Sequence, residues 1–230
     1  QGNAYSQYGA HVDDSTNYQV YNNKACDDKT TAAVKETYGK MLFYEDKAVE
    51  AFYFSTSCGH TTDGSVWGSE GAKLPYLQAV ELRDRRKTLD LTDNSAFDAF
   101  IRDKDVPAYD SGFSMYRWET DIGSDVLSGQ IAGVGKVQNL TVMKRGPGGI
   151  AQELLVEGSD GSTTVKTQGN IRNALGNASL VIKKKDGSTM EGSAMLPSAF
   201  ISIEKRTGDD GAISFHIYGG GYGHGVGMSQ

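Results

Sequence analysis

The chain closes on Gly219-Gly220-Gly221-Tyr222-Gly223-His224-Gly225-Val226-Gly227-Met228-Ser229-Gln230, a histidine and a tyrosine set among six glycines. Glycine loses more backbone freedom on ordering than any other residue and packs no side chain, so this stretch reads as a shaped loop and not as a helix. A loop that dense in glycine lets backbone amides approach a ligand closely, and a histidine within it is placed to meet something polar. A second polar concentration, Ser55-Thr56-Ser57-Cys58-Gly59-His60-Thr61-Thr62-Asp63, follows a hydrophobic strand-like run. Small polar residues just past a strand are a usual seat of chemistry or ligand contact.

Several chemistries are open to these residues. Cys58 and His224 could act as nucleophile and base, because a thiolate needs an imidazole or a positive field to form near neutral pH. The surrounding residues carry no matching peptidase signature. Cys26, Cys58, His60 and His224 offer zinc ligand atoms, but Cys-x-His lacks the paired spacing of a zinc motif, and no metal is expected. Cys26 and Cys58 also permit one disulfide. The pairs Asp13-Asp14, Asp27-Asp28 and Asp209-Asp210 lack the alternating oxygen ligands of a calcium loop and read as caps and turns. Trp67 follows the polar cluster and could stack on a sugar ring, whereas Trp118 reads as core.

Elements must hold these residues in place. A short helix is expected over 28–38, stopped by Gly39. Met41–Tyr44 and Val49–Ser55 read as a hairpin over Glu45-Asp46-Lys47, delivering the polar cluster at its far end. Asp93 caps a helix whose apolar face carries Phe97, Phe100 and Ile101. Short strands follow at Leu140–Met143, Leu154–Val156, Thr163–Lys166 and Leu180–Lys183, with a small helix near Asn170–Leu175 and a hairpin of Phe200–Ile203 with Ile213–Tyr218. Strands with few helices and no βαβ alternation predict an α+β, β-rich mixed fold. One domain over 1–230 is expected, with a β-rich sub-lobe near 137–205.

The 29 glycines and 12 tyrosines among 230 residues fit many tight turns between short strands. A formal charge of −6 argues against nucleic acid, whose phosphates need a basic face, and favours a neutral or amphoteric polymer. No apolar run nears the roughly 18 residues of a membrane span, and none is expected here.

Taken in order, the motifs resemble one family. Gln19-Val20-Tyr21, Ala51-Phe52-Tyr53-Phe54-Ser55-Thr56-Ser57-Cys58-Gly59-His60-Thr61, Val66-Trp67-Gly68, Pro75-Tyr76-Leu77, Tyr116-Arg117-Trp118-Glu119, Lys144-Arg145-Gly146, Ile171-Arg172, Leu196-Pro197-Ser198-Ala199-Phe200 and the closing Gly221-to-Gln230 stretch follow the order of the stage II sporulation protein D family. The resemblance runs over essentially the whole chain. It implies a bacterial, extracytoplasmic peptidoglycan lytic transglycosylase, secreted or held at the cell wall or membrane, cutting the glycan between N-acetylmuramic acid and N-acetylglucosamine to leave 1,6-anhydro ends. It further implies a glycan groove lined by Gln19, Tyr21, Ser55, Thr56, Ser57, Gly59, His60, Thr61, Trp67, Tyr222, Gly223, His224 and Gly225. Within it, Ser55, Ser57 and His224 would hydrogen-bond acetamido and hydroxyl groups.

The chain departs from the family pattern in two respects. The family's catalytic glutamate lies on a helix ahead of the matched region, whereas the first glutamate here is Glu36, so the acid is expected upstream of Gln1 and the fragment alone is expected to be inactive. The zinc ligands of some members, a Cys and a His-Cys pair, have no counterpart in Val12–Tyr18. The other reading the resemblance carries is a noncatalytic peptidoglycan-binding module or an enhancer partnering a wall amidase. No cofactor is expected under either.

Overall fold

The computed structural model describes residues 5–11, 13–14, 23–68, 71, 73–84 and 89–229. The chain divides into two compact units, Gln1–Val49 and Glu50–Gln230.

In the first unit, α1 (Asp28–Glu36) starts at a capping box in which Asp27 accepts from the Thr30 N–H at 2.9 Å. That satisfies a backbone donor that the first helical turn leaves free. Strands β1 (Phe43–Tyr44) and β2 (Lys47–Ala48) pair antiparallel around Glu45 and Asp46. The hairpin is therefore tighter than expected. Its turn places Glu45 and Asp46 at φ 46° and 61°, so it closes over two residues, and its second arm ends before the polar cluster.

The second unit corrects the partner of the next strand. Tyr53–Phe54 (β3) pairs in parallel with Met228–Ser229 (β12), with Met228 opposite Tyr53 and Ser229 opposite Phe54. A long-range pairing has displaced the local one. Helix α2 (Asn94–Arg102) begins where expected, with the Asp93 carboxylate accepting from the Ala96 N–H at 2.8 Å. Its apolar stripe, Phe97, Phe100 and Ile101, is buried.

Two antiparallel sheets form the bulk of this unit. One orders β10 (Ile201–Thr207), β11 (Ile213–Gly219), β4 (Trp118–Gly123), β8 (Val181–Lys184) and β9 (Thr189–Glu191); the other orders β5 (Val137–Arg145), β6 (Ala151–Gly158) and β7 (Gly161–Lys166). The expected 200–218 hairpin is β10–β11, in register from Ile201 opposite Gly219 to Thr207 opposite Ile213. Helices α3 (Ser124–Gln130) and α4 (Gln168–Leu175) contribute Leu127, Ile171 and Leu175 to a core shared with Trp118, Ile122, Leu154, Phe215 and Ile217. Residues 137–205 thus share their core with strands on either side of them in sequence. The fold is α+β and β-rich, and among the described residues no helix is long and apolar enough to cross a membrane.

A second core packs α2 against the chain around the polar cluster: Cys58, Val66, Leu77, Phe97, Phe100, Ile101, Phe200 and Val226. Gly149, at φ 92°, leaves room for Phe97, whose ring would lie 2.1 Å from a Cβ placed there. Gly149→Ala is expected to lower unfolding free energy by roughly 2–3 kcal/mol through overpacking, against about 1 kcal/mol for removing the α2 cap in Asp93→Ala. Urea unfolding midpoints of the two variants check the order.

Candidate functional site

The two polar segments lie side by side. Thr56 and Tyr222 exchange backbone hydrogen bonds, Tyr222 N–H to Thr56 O at 2.7 Å and Thr56 N–H to Tyr222 O at 3.2 Å. The Thr62 N–H donates to Gly225 O at 2.7 Å and the Met228 N–H to Phe52 O at 3.0 Å. The far side of the glycine loop is held by the Leu196-to-Phe200 stretch. There the Gly223 N–H donates to Pro197 O at 2.9 Å, and the Ser198 hydroxyl to Gly220 O at 2.7 Å. Trp118 donates its indole N–H to Gly221 O at 3.0 Å.

Glycine is needed there for conformation and for space. Gly221, Gly223, Gly225 and Gly227 have φ between 78° and 121°, a region that side chains rarely tolerate. A Cβ on Gly225 would lie 2.5 Å from the Phe200 ring, and one on Gly223 2.7 Å from Phe54 Cβ. Their shared task is close approach between chain segments.

Burial sorts the expected site residues into two groups. Trp67, Tyr222 and Ser55 are exposed, and Gly223 and His224 half-buried, so a ligand can reach them. Thr56, Ser57, Gly59, His60, Thr61 and Gly225 are buried. Ser57 receives its order from Asp110, whose carboxylate accepts the Ser57 N–H at 2.7 Å, while its own hydroxyl accepts the Gly59 N–H at 3.1 Å. Thr61 accepts the Val80 N–H at 2.9 Å. His60 faces inward, 3.7 Å from Glu81, which is also paired with Arg83. These residues shape the wall from behind. Gln19 and Tyr21 lie outside the described residues.

Each cysteine is a free thiol, Cys26 exposed and Cys58 buried. Burial pushes the Cys58 thiol up to about 11, and its Sγ donates to His60 O at 3.7 Å. A thiol protonated at neutral pH and closed to solvent is not a nucleophile. The peptidase reading fails on that ground.

Aromatic rings converge on His224. Trp67 lies 5.2 Å away between ring centroids, Phe54 5.7 Å and Phe52 6.4 Å, with Phe52 4.4 Å from Trp67. The Trp67 position is set by the 3₁₀ turn Gly64–Trp67, capped by Asp63, which accepts from the Ser65 N–H at 3.1 Å. Nδ1 of His224 accepts the Val226 N–H at 3.2 Å. A ring nitrogen that accepts carries no proton, so in the neutral ring the proton sits on Nε2. Nδ1 of His224 is thus spent on the protein, while its ring packs near Trp67.

Arg172 is the site residue that its motif alone did not single out. Its Nε donates to Leu196 O at 2.8 Å, and burial pulls the guanidinium down to about 10, opposed by Tyr222. Burial holds the His224 pKa below its ordinary 6.5, and the Arg172 charge adds to this. The neutral imidazole is the folded form. His60 is lowered too, again chiefly by burial.

These features define a β-rich α+β domain in which a glycine-histidine loop is hydrogen-bonded to a polar strand end beside a cluster of aromatic rings. The chain belongs to the family described as "Domain of unknown function (DUF8618)", whose model matches residues 62–227. It is similar to the amidase enhancer of Bacillus subtilis (strain 168), 28% identical over 96% of this chain and 32% of that protein, and to stage II sporulation protein D of Bacillus amyloliquefaciens, 29% identical over 96% of this chain and 52% of that protein. Stage II sporulation protein D of Bacillus subtilis (strain 168) is 35% identical over a shorter stretch, 32% of this chain and 24% of that protein. The resemblance carried by the motifs is thus borne out. The chain spans about a third to a half of the first two relatives' length.

A His whose folded pKa is depressed favours the fold above the unfolded value and loses that advantage as pH falls through the folded pKa. Stability is therefore expected to decline as pH drops below 6.5. In an NMR titration His224 should titrate below 6.5, and Arg172→Gln should move its midpoint upward. An unchanged midpoint would separate the guanidinium from the imidazole.

Proposed function

We propose that this domain holds the glycan strand of bacterial peptidoglycan in the groove between the Ser55 strand end and the Tyr222–Gly225 loop, outside the cytoplasm, as the glycan-binding part of a lytic transglycosylase. The observation carrying this reading is the exposed Trp67 ring packed against His224 beside exposed Tyr222. An aromatic face with a wet edge suits the apolar face of a pyranose, with Ser55 and Tyr222 available to hydroxyl or acetamido groups. The relatives' names, stage II sporulation protein D and amidase enhancer, agree with a cell-wall role.

In such chemistry a carboxylic acid protonates the glycosidic oxygen, the oxocarbenium-like carbon is captured by the sugar's own 6-hydroxyl, and a 1,6-anhydro end forms. The residues of this chain orient the strand: Trp67 and Tyr222 fix the ring plane, and the buried Ser57–Asp110 and Arg172–Leu196 contacts keep the wall from moving. A second reading, an enhancer that binds glycan and recruits a wall amidase, is favoured by the amidase enhancer being similar over 96% of this chain.

Titration with chitin-type N-acetylglucosamine oligomers should give saturable binding that Trp67→Ala weakens about tenfold, or 1.4 kcal/mol. Binding unaffected by both Trp67→Ala and Tyr222→Ala would remove the groove from the proposal. Release of anhydro-muramoyl products from denuded strands decides for cleavage. Stimulation of an amidase without such products decides for the enhancer.

A further inference from the structure

A polar hollow lies beside the turn that carries Trp67. It measures about 180 Å³ and is lined by Ser65, Val66 and Gly68 of the turn together with Gln152, Glu153, Lys166, Thr167 and Gln168. Gln168 is only 7% exposed, and its carboxamide Oε1 is buried without a hydrogen-bond partner. Buried polar atoms are almost always paired, so an orphaned carboxamide oxygen beside a hollow marks a place for a donor from outside the fold.

The neighbouring groups narrow what that donor belongs to. Glu153 and Lys166 stand directly opposite in the β6–β7 register, so the lining offers one carboxylate and one ammonium and selects against a ligand of strong net charge. Thr167 and Ser65 add hydroxyls. Thr167 sits at φ 73°, ψ 144° while its hydroxyl caps α4, a backbone combination almost confined to glycine and one that persists where surrounding structure demands it. Thr167 is itself tied to the cleft wall, its N–H donating to Gln152 O at 2.9 Å. Gln152 in turn reaches the Ser65 hydroxyl at 3.5 Å. The turn is kept thin by glycine, because a Cβ on Gly64 would lie 2.2 Å from Gly71 O.

We infer that this hollow is a second sugar subsite, taking one N-acetylated hexosamine unit of a strand whose neighbouring units occupy the Trp67–His224 groove. An acetamido sugar brings what the lining lacks: an N–H for Gln168 Oε1, hydroxyls for Glu153, a carbonyl for Lys166, and no net charge. The hollow holds about one ring, below the roughly 300–1,000 Å³ of a drug-sized pocket. Because Ser65 and Trp67 belong to the same short turn, one strand can reach both. The inference rests on the glycan reading of the groove.

The test is a heteronuclear NMR titration of this chain with N-acetylglucosamine tetramer, following the Trp67 indole and the Ser65, Thr167 and Gln168 amides. Both sets should shift together, and Gln168→Leu should abolish the shifts at Ser65 and Thr167 and raise the tetramer dissociation constant several-fold, while leaving the Trp67 response in place. The same substitution should leave the thermal midpoint unchanged or higher, since it removes an unsatisfied buried group; a purely structural glutamine would give a lower one. Shifts at Trp67 alone would overturn the subsite and spare the groove. Shifts at Thr167 and Gln168 without Trp67 would overturn the groove as the principal site. A response of the hollow to a free stem peptide but not to the tetramer would overturn the sugar assignment.

Discussion

The structure of this domain depends on two stretches of irregular backbone, residues 52–62 and 219–229, satisfying each other's hydrogen bonds. Outside regular helix and sheet a buried N–H or C=O has no built-in partner, and leaving it bare costs as much as a lost hydrogen bond. The mutual bonds of Thr56 with Tyr222, Thr62 with Gly225 and Phe52 with Met228 meet that demand across more than 160 residues of sequence. They require the chains to run closer than side chains permit, which is why glycines at positive φ alternate through the loop. Once the two stretches are joined, the placement of Trp67, Tyr222 and His224 follows.

Buried cations secure this junction from within. Arg117, 1% exposed, donates to the carbonyls of Cys58, Tyr116, Phe100 and Asp103, and thereby clamps α2 to the polar cluster. Arg145 does the same between α2 and the sheets, reaching Asn94, Gly149 and Ile201 and lying over the Phe97 ring at 4.0 Å. A buried charge is tolerated only with partners that replace water, so these side chains fix the relative positions of the segments that meet them. Arg172 extends the same logic to the groove, where its charge also helps keep His224 neutral.

Much of the scaffold was legible locally. The Asp93 cap followed by Phe97, Phe100 and Ile101 at helical spacing is a self-contained signal, and α2 formed on it. The β10–β11 hairpin followed from two β-branched runs around Asp209-Asp210-Gly211. Strand β4 escaped notice because Trp118-Glu119-Thr120-Asp121-Ile122 places only two large apolar residues among three polar ones, although its burial alternates as a half-covered strand should. The Val49–Ser55 arm was misassigned because a turn signal specifies a neighbour in sequence, while the partner of Tyr53–Phe54 lies at the other end of the domain.

The sequence by itself determined the fold class, the existence of a glycine-shaped loop, and the family, since each of these is written in residue type and order. Only the tertiary structure decided which polar residues face a ligand. Ser57 and Thr61 look like Ser55 in a string of letters, yet both are buried, the Ser57 hydroxyl accepting the Gly59 N–H and the Thr61 hydroxyl the Val80 N–H. Nδ1 of His224 looks free in the sequence, yet it accepts the Val226 N–H. Hydrogen-bonding capacity is a property of the side chain, but what remains of it for a ligand depends on distant segments that only folding brings within 3 Å or so.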